Sequence, residues 1–185
     1  MRLRFALLAG LALVATVAGC SNDDLADPAF ENAIAVDTIG ALRFTAVTVP
    51  SGFNVSARHP IRTDLGGPFD FLYDLDSTGA PTFYPAEAAG VRAPSSANPG
   101  LLKSDLPFDS ITVAPSNGYV LDSPIAVDSG DVFLMRSSIS CSIGVPTYGK
   151  LEILQIDTVA HLIIFRHLID GNCGYRGLEE GYPKH

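Results

Sequence analysis

From Ala41 onward the chain is cut into short apolar runs by glycine, proline, asparagine and aspartate, and no stretch between the cuts carries a long helical period. With 17 Gly and 13 Pro in 185 residues, few windows leave room for the roughly 10 residues an amphipathic helix needs. Alternating apolar and polar residues bounded by turn formers read as strands. The expected strands are 41–49 (ALRFTAVTV), 52–57 (GFNVSA), 69–75 (FDFLYDL), 109–114 (DSITVA), 119–122 (YVLD), 131–139 (DVFLMRSSI), 148–157 (YGKLEILQID) and 161–169 (HLIIFRHLI). Pro50-Ser51-Gly52 predicts a hairpin between the first two, and Asn117-Gly118 one between 109–114 and 119–122. The short link between 148–157 and 161–169 predicts a third. In 69–75 the alternation places Phe69, Phe71 and Tyr73 on one side. Close, short strands without intervening helices imply an all-β domain, an antiparallel β-sandwich or barrel-like fold.

One region departs from this texture. Residues 76–108 are rich in Pro, Gly, Ala and Ser, with prolines at 81, 85, 94, 99 and 107. Proline donates no ladder hydrogen bond, which argues against a central strand here. The expectation is one long Pro/Gly-rich loop region, the kind that often carries function, or short edge pieces within it.

The N-terminus reads as a targeting segment. Arg2 and Arg4 precede the apolar run from Phe5 to Val17, which is shorter than the roughly 20 residues a spanning helix requires. Val17-Ala18-Gly19-Cys20 resembles the lipobox of bacterial lipoproteins. That resemblance implies cleavage after residue 19 and a diacylglycerol on the Cys20 thiol. Two or three acyl chains hold a protein on a membrane where one does so only marginally. Ser21 at the next position, by the same resemblance, implies the outer membrane. The expected organisation is therefore 1–19 signal peptide, 20–40 lipidated tether and 41–185 a single β domain. Asp27-Pro28 within the tether reads as the start of one helical turn.

Removing residues 1–19 takes Arg2 and Arg4 away and leaves 10 basic against 20 acidic side chains, a formal charge of −10. That balance argues against nucleic acid and against electrostatic binding to anionic lipid. Assigning Cys20 to lipid leaves two cysteines in an oxidising compartment, so Cys141 and Cys173 are expected to pair. The bridge would close a loop of about 33 residues and contribute roughly 3–4 kcal/mol on the loop-entropy model.

Motifs that carry chemistry are sparse. Asp74, Asp76 and Thr78, followed by Gly79, open like a calcium-binding EF-hand loop, although the twelfth position is Pro85 where a bidentate carboxylate belongs. An interstrand turn explains the same residues. His161 and His167 stand about 20 Å apart on a straight strand, too far to share a metal, and His59 and His185 lie elsewhere. No G-x-S-x-G or H-E-x-x-H pattern occurs. The Asp-Ser pairs at 76, 109, 122 and 128 suit turns at strand ends. The segment 172–183 (NCGYRGLEEGYP) offers Tyr175, Arg176 and Tyr182 as a recognition surface, or as a closing segment pinned by Cys173.

The strands from Asp131 on (GDVFLMRSS, TYGKLEILQID, LIIFRHLI) resemble the last strands of HmuY-type haem-binding lipoproteins, and PFDFLYDL is similar to a Trp-Asp strand of that family with Phe69 in place of tryptophan. The resemblance implies an all-β, lipid-anchored haem carrier working with an outer-membrane receptor. It carries over no ligand residue. The residues themselves point to a non-enzymatic lipoprotein of the cell envelope. Its partners are the membrane through its lipid and an envelope protein or small molecule, with no cofactor expected. Haem carriage and envelope hydrolysis are the alternatives.

Overall fold

The computed structural model describes residues 27–183. The signal segment, Cys20 and His185 lie outside the described residues. The fold is all-β: two five-stranded antiparallel sheets packed face to face. In chain order the strands are β1 (Ile34–Gly40), β2 (Gly52–Asn54), β3 (His59–Ile61), β4 (Phe71–Leu75), β5 (Pro81–Pro85), β6 (Gly100–Ser104), β7 (Ile125–Ala126), β8 (Val132–Ile139), β9 (Pro146–Asp157) and β10 (Leu162–Ile169). The first sheet runs β1-β10-β9-β8-β6 and the second β3-β2-β4-β5-β7. Two single-turn 3₁₀ helices, Thr63–Leu65 and Phe108–Ser110, are the only helical pieces among the described residues.

The β9–β10 hairpin and β8 follow the alternation that predicts them. Four expectations are corrected. The expected tether extends through residue 40, yet Ile34–Gly40 pairs with β10 along its whole length. This strand lies at a sheet edge with most side chains exposed, so its apolar residues form no clean alternation. Asp27-Pro28 starts no helix: the Ala29 and Phe30 amides donate to the Asn172 side-chain oxygen at 2.7 and 2.9 Å. Residues 41–49 are a loop, described below. Segments 109–114 and 119–122 do not pair with each other. Val113 bridges Gly177 and Val120 bridges Leu101.

The Pro/Gly-rich region holds two strands. β5 is interior, with Phe83 fully buried. Its prolines sit at its first and last positions, and β7 pairs only with Thr82 and Phe83 between them, so no ladder donor is lost where it is needed. β6 is an edge piece. Gly100 is required there, since a Cβ would meet the Val120 carbonyl at 2.8 Å.

The core between the sheets is aromatic. Phe53, Phe71 and Phe83 of the second sheet meet Phe165 and Phe133 of the first, with ring centroids 4.9–5.7 Å apart. Two buried side chains tie elements across the fold. Asp70 accepts the Val55 amide at 2.8 Å and the Ser138 amide at 3.0 Å, joining the start of β4 to β8. His167 of β10 bonds Asp37 of β1 at 2.8 Å and packs on Phe53 and Phe165. Burial lowers the His167 pKa against the pull of Asp37.

The outer face of the first sheet is covered. Residues 105–121 and 172–183 lie across it, placing Phe108, Ile111, Ala114, Tyr119 and Leu178 over Leu134, Tyr148 and Leu168. Lys150 reaches up from β9 and donates to the Phe108 and Ile111 carbonyls at 2.9 and 2.8 Å, and Arg166 stacks on the Phe108 ring at 4.3 Å. The expected disulfide is present. Cys141 and Cys173 are bonded with Cα atoms 5.7 Å apart, pinning the closing segment to the loop after β8.

Candidate functional site

The outer face of the second sheet is different. Along β4, Phe71, Tyr73 and Leu75 enter the core, while Leu72 turns outward to Phe69 and Ala86. Phe69 precedes the strand and so escapes the alternation that groups it with Phe71 and Tyr73. Ile61, Tyr84 and Ala89 complete a small outer cluster. The loops over this face bury Leu72, Phe69 and Ala86 but leave Leu42, Val47 and Val91 in solvent.

Three loops stand around that cluster. The first is 41–49. Its base is closed by the Gly40 amide donating to the Pro50 carbonyl at 2.8 Å, an Ω-loop arrangement. The Phe44 and Thr45 amides and the Thr45 hydroxyl all donate to the Ala41 carbonyl, which folds the chain back on itself instead of extending it. Arg43 fastens the loop to β4, its Nε 2.5 Å from Asp74 Oδ2 and its Nη2 donating to the Leu75 carbonyl. The second loop, 85–92, is wound by bonds from the Ala89 and Val91 amides to the Pro85 and Ala86 carbonyls. The third is the Thr63–Leu65 turn with Gly66, Gly67 and Pro68.

Between these loops run three adjoining hollows. The middle one, of ≈ 430 Å³, is lined by Leu42, Val47, Val49, Phe69, Leu72 and Val91 among others. It shares Leu42, Leu72 and Ala89 with a second of ≈ 400 Å³ that ends at Arg43, Asp74 and Tyr84. It shares Thr63, Phe69 and Val91 with a third of ≈ 500 Å³ that ends at Gly66, Gly67 and Arg92. Together they form one groove with apolar walls. Val47 is 66 % exposed, Val91 58 % and Leu42 43 %, a cluster of solvent-facing aliphatic side chains of the kind that marks a binding surface.

The two ends carry different charge. Arg43 is neutralised by Asp74, and burial together with that carboxylate raises the Tyr84 pKa, so the phenol stays protonated. Arg92, at the other end, makes no hydrogen bond or ion pair among the described residues and feels only the longer-range pull of buried Asp70.

A larger hollow of ≈ 810 Å³ opens where the chain crosses from β6 to β7, lined by Glu87, Ser95, Asp122 and Ser123 with parts of 119–126. Glu87 is occupied there, accepting the Asn98 amide at 2.7 Å, and Ser123 donates to Asp122. These polar groups hold their own loops.

The calcium candidates do not converge. Asp74 is turned to Arg43, and Asp76 accepts the Thr78 amide and hydroxyl at 2.7 Å and the Ala80 amide at 2.9 Å. The Thr78 hydroxyl bond leads in lowering the Asp76 pKa. Among the described residues no group of three or more His, Cys, Asp or Glu is placed to hold a metal. His59 is exposed, His161 packs on Phe44 in a turn, and His167 and Met135 are buried. None lines any of these hollows. In 172–183, Tyr175 is buried and Leu178 packs down on the first sheet, with Tyr182 beside a small hollow of ≈ 210 Å³.

Sequence reasoning misses the groove residues Val47, Val49, Val91 and Arg92. The available signal is the isolated valines, one flanked by Gly and Arg after 85–90 and two interleaved with Thr in 46–49, apolar residues in segments too irregular to bury them. Compared with family models, curated proteins and solved structures, the chain matches none.

Proposed function

We propose that this chain is a lipid-anchored lipoprotein of the cell envelope that binds an elongated apolar ligand in the groove over its second sheet. The disulfide points to a protein that matures outside the cytoplasm. The Val17–Cys20 motif supplies the anchor, and Ser21 after it implies the outer membrane. The observation that carries the binding role is the contrast between the two outer faces. The first sheet's is sealed by packed aromatic and aliphatic side chains, while the second leaves Leu42, Val47 and Val91 in solvent beside Phe69 and Leu72. Binding, not turnover, suits a groove whose acids, Asp64 and Asp74, are each paired with an arginine.

Two measurements test the reading. Cells fed labelled palmitate should label the wild-type protein, and Cys20→Ser should abolish the label and release the protein from membranes. The neutral dye N-phenyl-1-naphthylamine should brighten on binding the full chain. Val47→Glu together with Val91→Glu should remove that signal without changing the circular dichroism. An unlabelled wild type overturns the anchor, and a dye signal indifferent to the double variant overturns the groove.

A further inference from the structure

The groove is unequal at its ends, and that inequality selects a ligand class. At one end Arg43 and Asp74 cancel each other at 2.5 Å. At the other, Arg92 lines the hollow with Thr63, Gly66, Gly67 and Pro68 and has no acidic hydrogen-bond partner among the described residues. Asp70, the acid that acts on it, is 2 % exposed and has both oxygens bonded to Val55 and Ser138. A guanidinium with open donors beside an apolar trough attracts a carboxylate or phosphate and binds it bidentately. Between the ends, the walls offer Leu42, Val47, Val49, Phe69, Leu72 and Val91, and the one carboxylate lining this stretch, Asp64, is paired with Arg62 at 2.7 Å.

We infer that the groove takes an amphipathic anion: an aliphatic chain along Leu42, Val49, Phe69, Leu72 and Val91, with its anionic head at Arg92. This rests on the groove being the binding site and adds the chemistry of the ligand. The protein's own acidity sharpens the point. A formal charge of −8 repels anions in general, so an anion is held only where a cation meets it locally.

The test uses the full chain carrying Cys20→Ser, so that no attached lipid competes, with cis-parinaric acid and its methyl ester as probes. The two share a chain and differ in charge. The acid should bind saturably and the ester more weakly. Arg92→Gln should weaken the acid about tenfold, the scale of one charge-assisted hydrogen bond, and leave the ester unchanged. Ala89→Trp, which fills the junction of two hollows, should abolish both. Val47→Glu, at an exposed site that folding does not need, serves as the second blocking variant and should weaken both. Equal affinity for acid and ester, or no effect of Arg92→Gln, overturns the anion assignment and leaves the groove standing. Absence of saturable binding by either probe, or binding that ignores both Ala89→Trp and Val47→Glu, overturns the groove reading itself.

Discussion

The two outer faces of the sandwich begin with the same problem and meet it differently. Each sheet presents apolar side chains away from the shared core: Leu134, Tyr148 and Leu168 on one, Leu72, Tyr84 and Ile61 on the other. The first face receives a long segment, 105–121, and the closing segment, 172–183. Both are tied down by Lys150, Arg166 and the cross-links of Ala114 to Arg176 and Leu178 to Thr112. The second receives three short loops that bury Leu72, Phe69 and Ala86 and leave hollows between them. Covering segments pack down on one face and aliphatic side chains stay in solvent over the other, whereas the larger hollow at the crossover, lined by Leu121 and Ile125 as well as Asp122 and Ser123, has its polar groups bonded within its own loops.

The sharpest way to break that contrast is Phe108→Ala. The ring is 1 % exposed, held between Lys150 and Arg166, and its loss should cost about 3–5 kcal/mol in denaturant titration. A loss near zero would mean the seal carries no weight. Next is the disulfide. Replacing Cys141 and Cys173 by Ser should lower stability by about 3 kcal/mol, read the same way. An unchanged midpoint would show the closing segment held by packing alone.

A third test reaches under the seal. Asp170 is fully buried, its Oδ1 accepting from Asn172, while its Oδ2 lies beside the Asn32 side chain, whose amide donates to the Gly177 and Glu179 carbonyls and whose oxygen finds no donor. Burial raises the Asp170 pKa. An acid whose folded pKa exceeds its unfolded value of about 3.9 stabilises the fold below that value, and the contribution is lost as pH rises through the folded pKa. Asp170→Asn keeps an acceptor for Asn172 and supplies an N–H for Asn32. Its melting temperature should exceed wild type at pH 7 and converge with it near pH 4. A lower value at pH 7 refutes the account. His167 acts in the opposite sense: its lowered pKa removes stability as pH falls below about 6.5. The smallest effect belongs to the open face. Val47→Ser or Val91→Ser should leave stability within about 0.5 kcal/mol of wild type, because those side chains are already in solvent.

How far the sequence discloses this arrangement follows the same division. The strands β8 through β10 are runs rich in apolar and β-branched residues bounded by turn formers and are legible, as is the cysteine pair. Strand β1 is hidden because an edge position relaxes the demand on its side chains. Loop 41–49 imitates a strand: Leu42, Phe44 and Ala46 alternate with Arg43 and Thr45, but the pattern arises from a surface held by Arg43 and Asp74 and not from a pleated face. In β5 the prolines argue against a strand, yet their harm depends on which neighbour needs the missing donor, a matter of pairing that spacing cannot reveal. The groove is least legible, being assembled from three loops far apart in the chain.

The clasp between the two ends of the chain has a mechanical meaning. Ala29 and Phe30 are bonded to Asn172, Asn32 pairs with Gly181, and residue 173 is covalently joined to Cys141. Tension applied from the N-terminal side therefore meets the clasp before it reaches the β1–β10 ladder, whose first pair is Ile34 with Leu168. The load passes through Asn172 into the disulfide and on to the loop after β8, bypassing the groove on the opposite sheet. Force entering at Ala29 would in this way leave the second sheet unloaded.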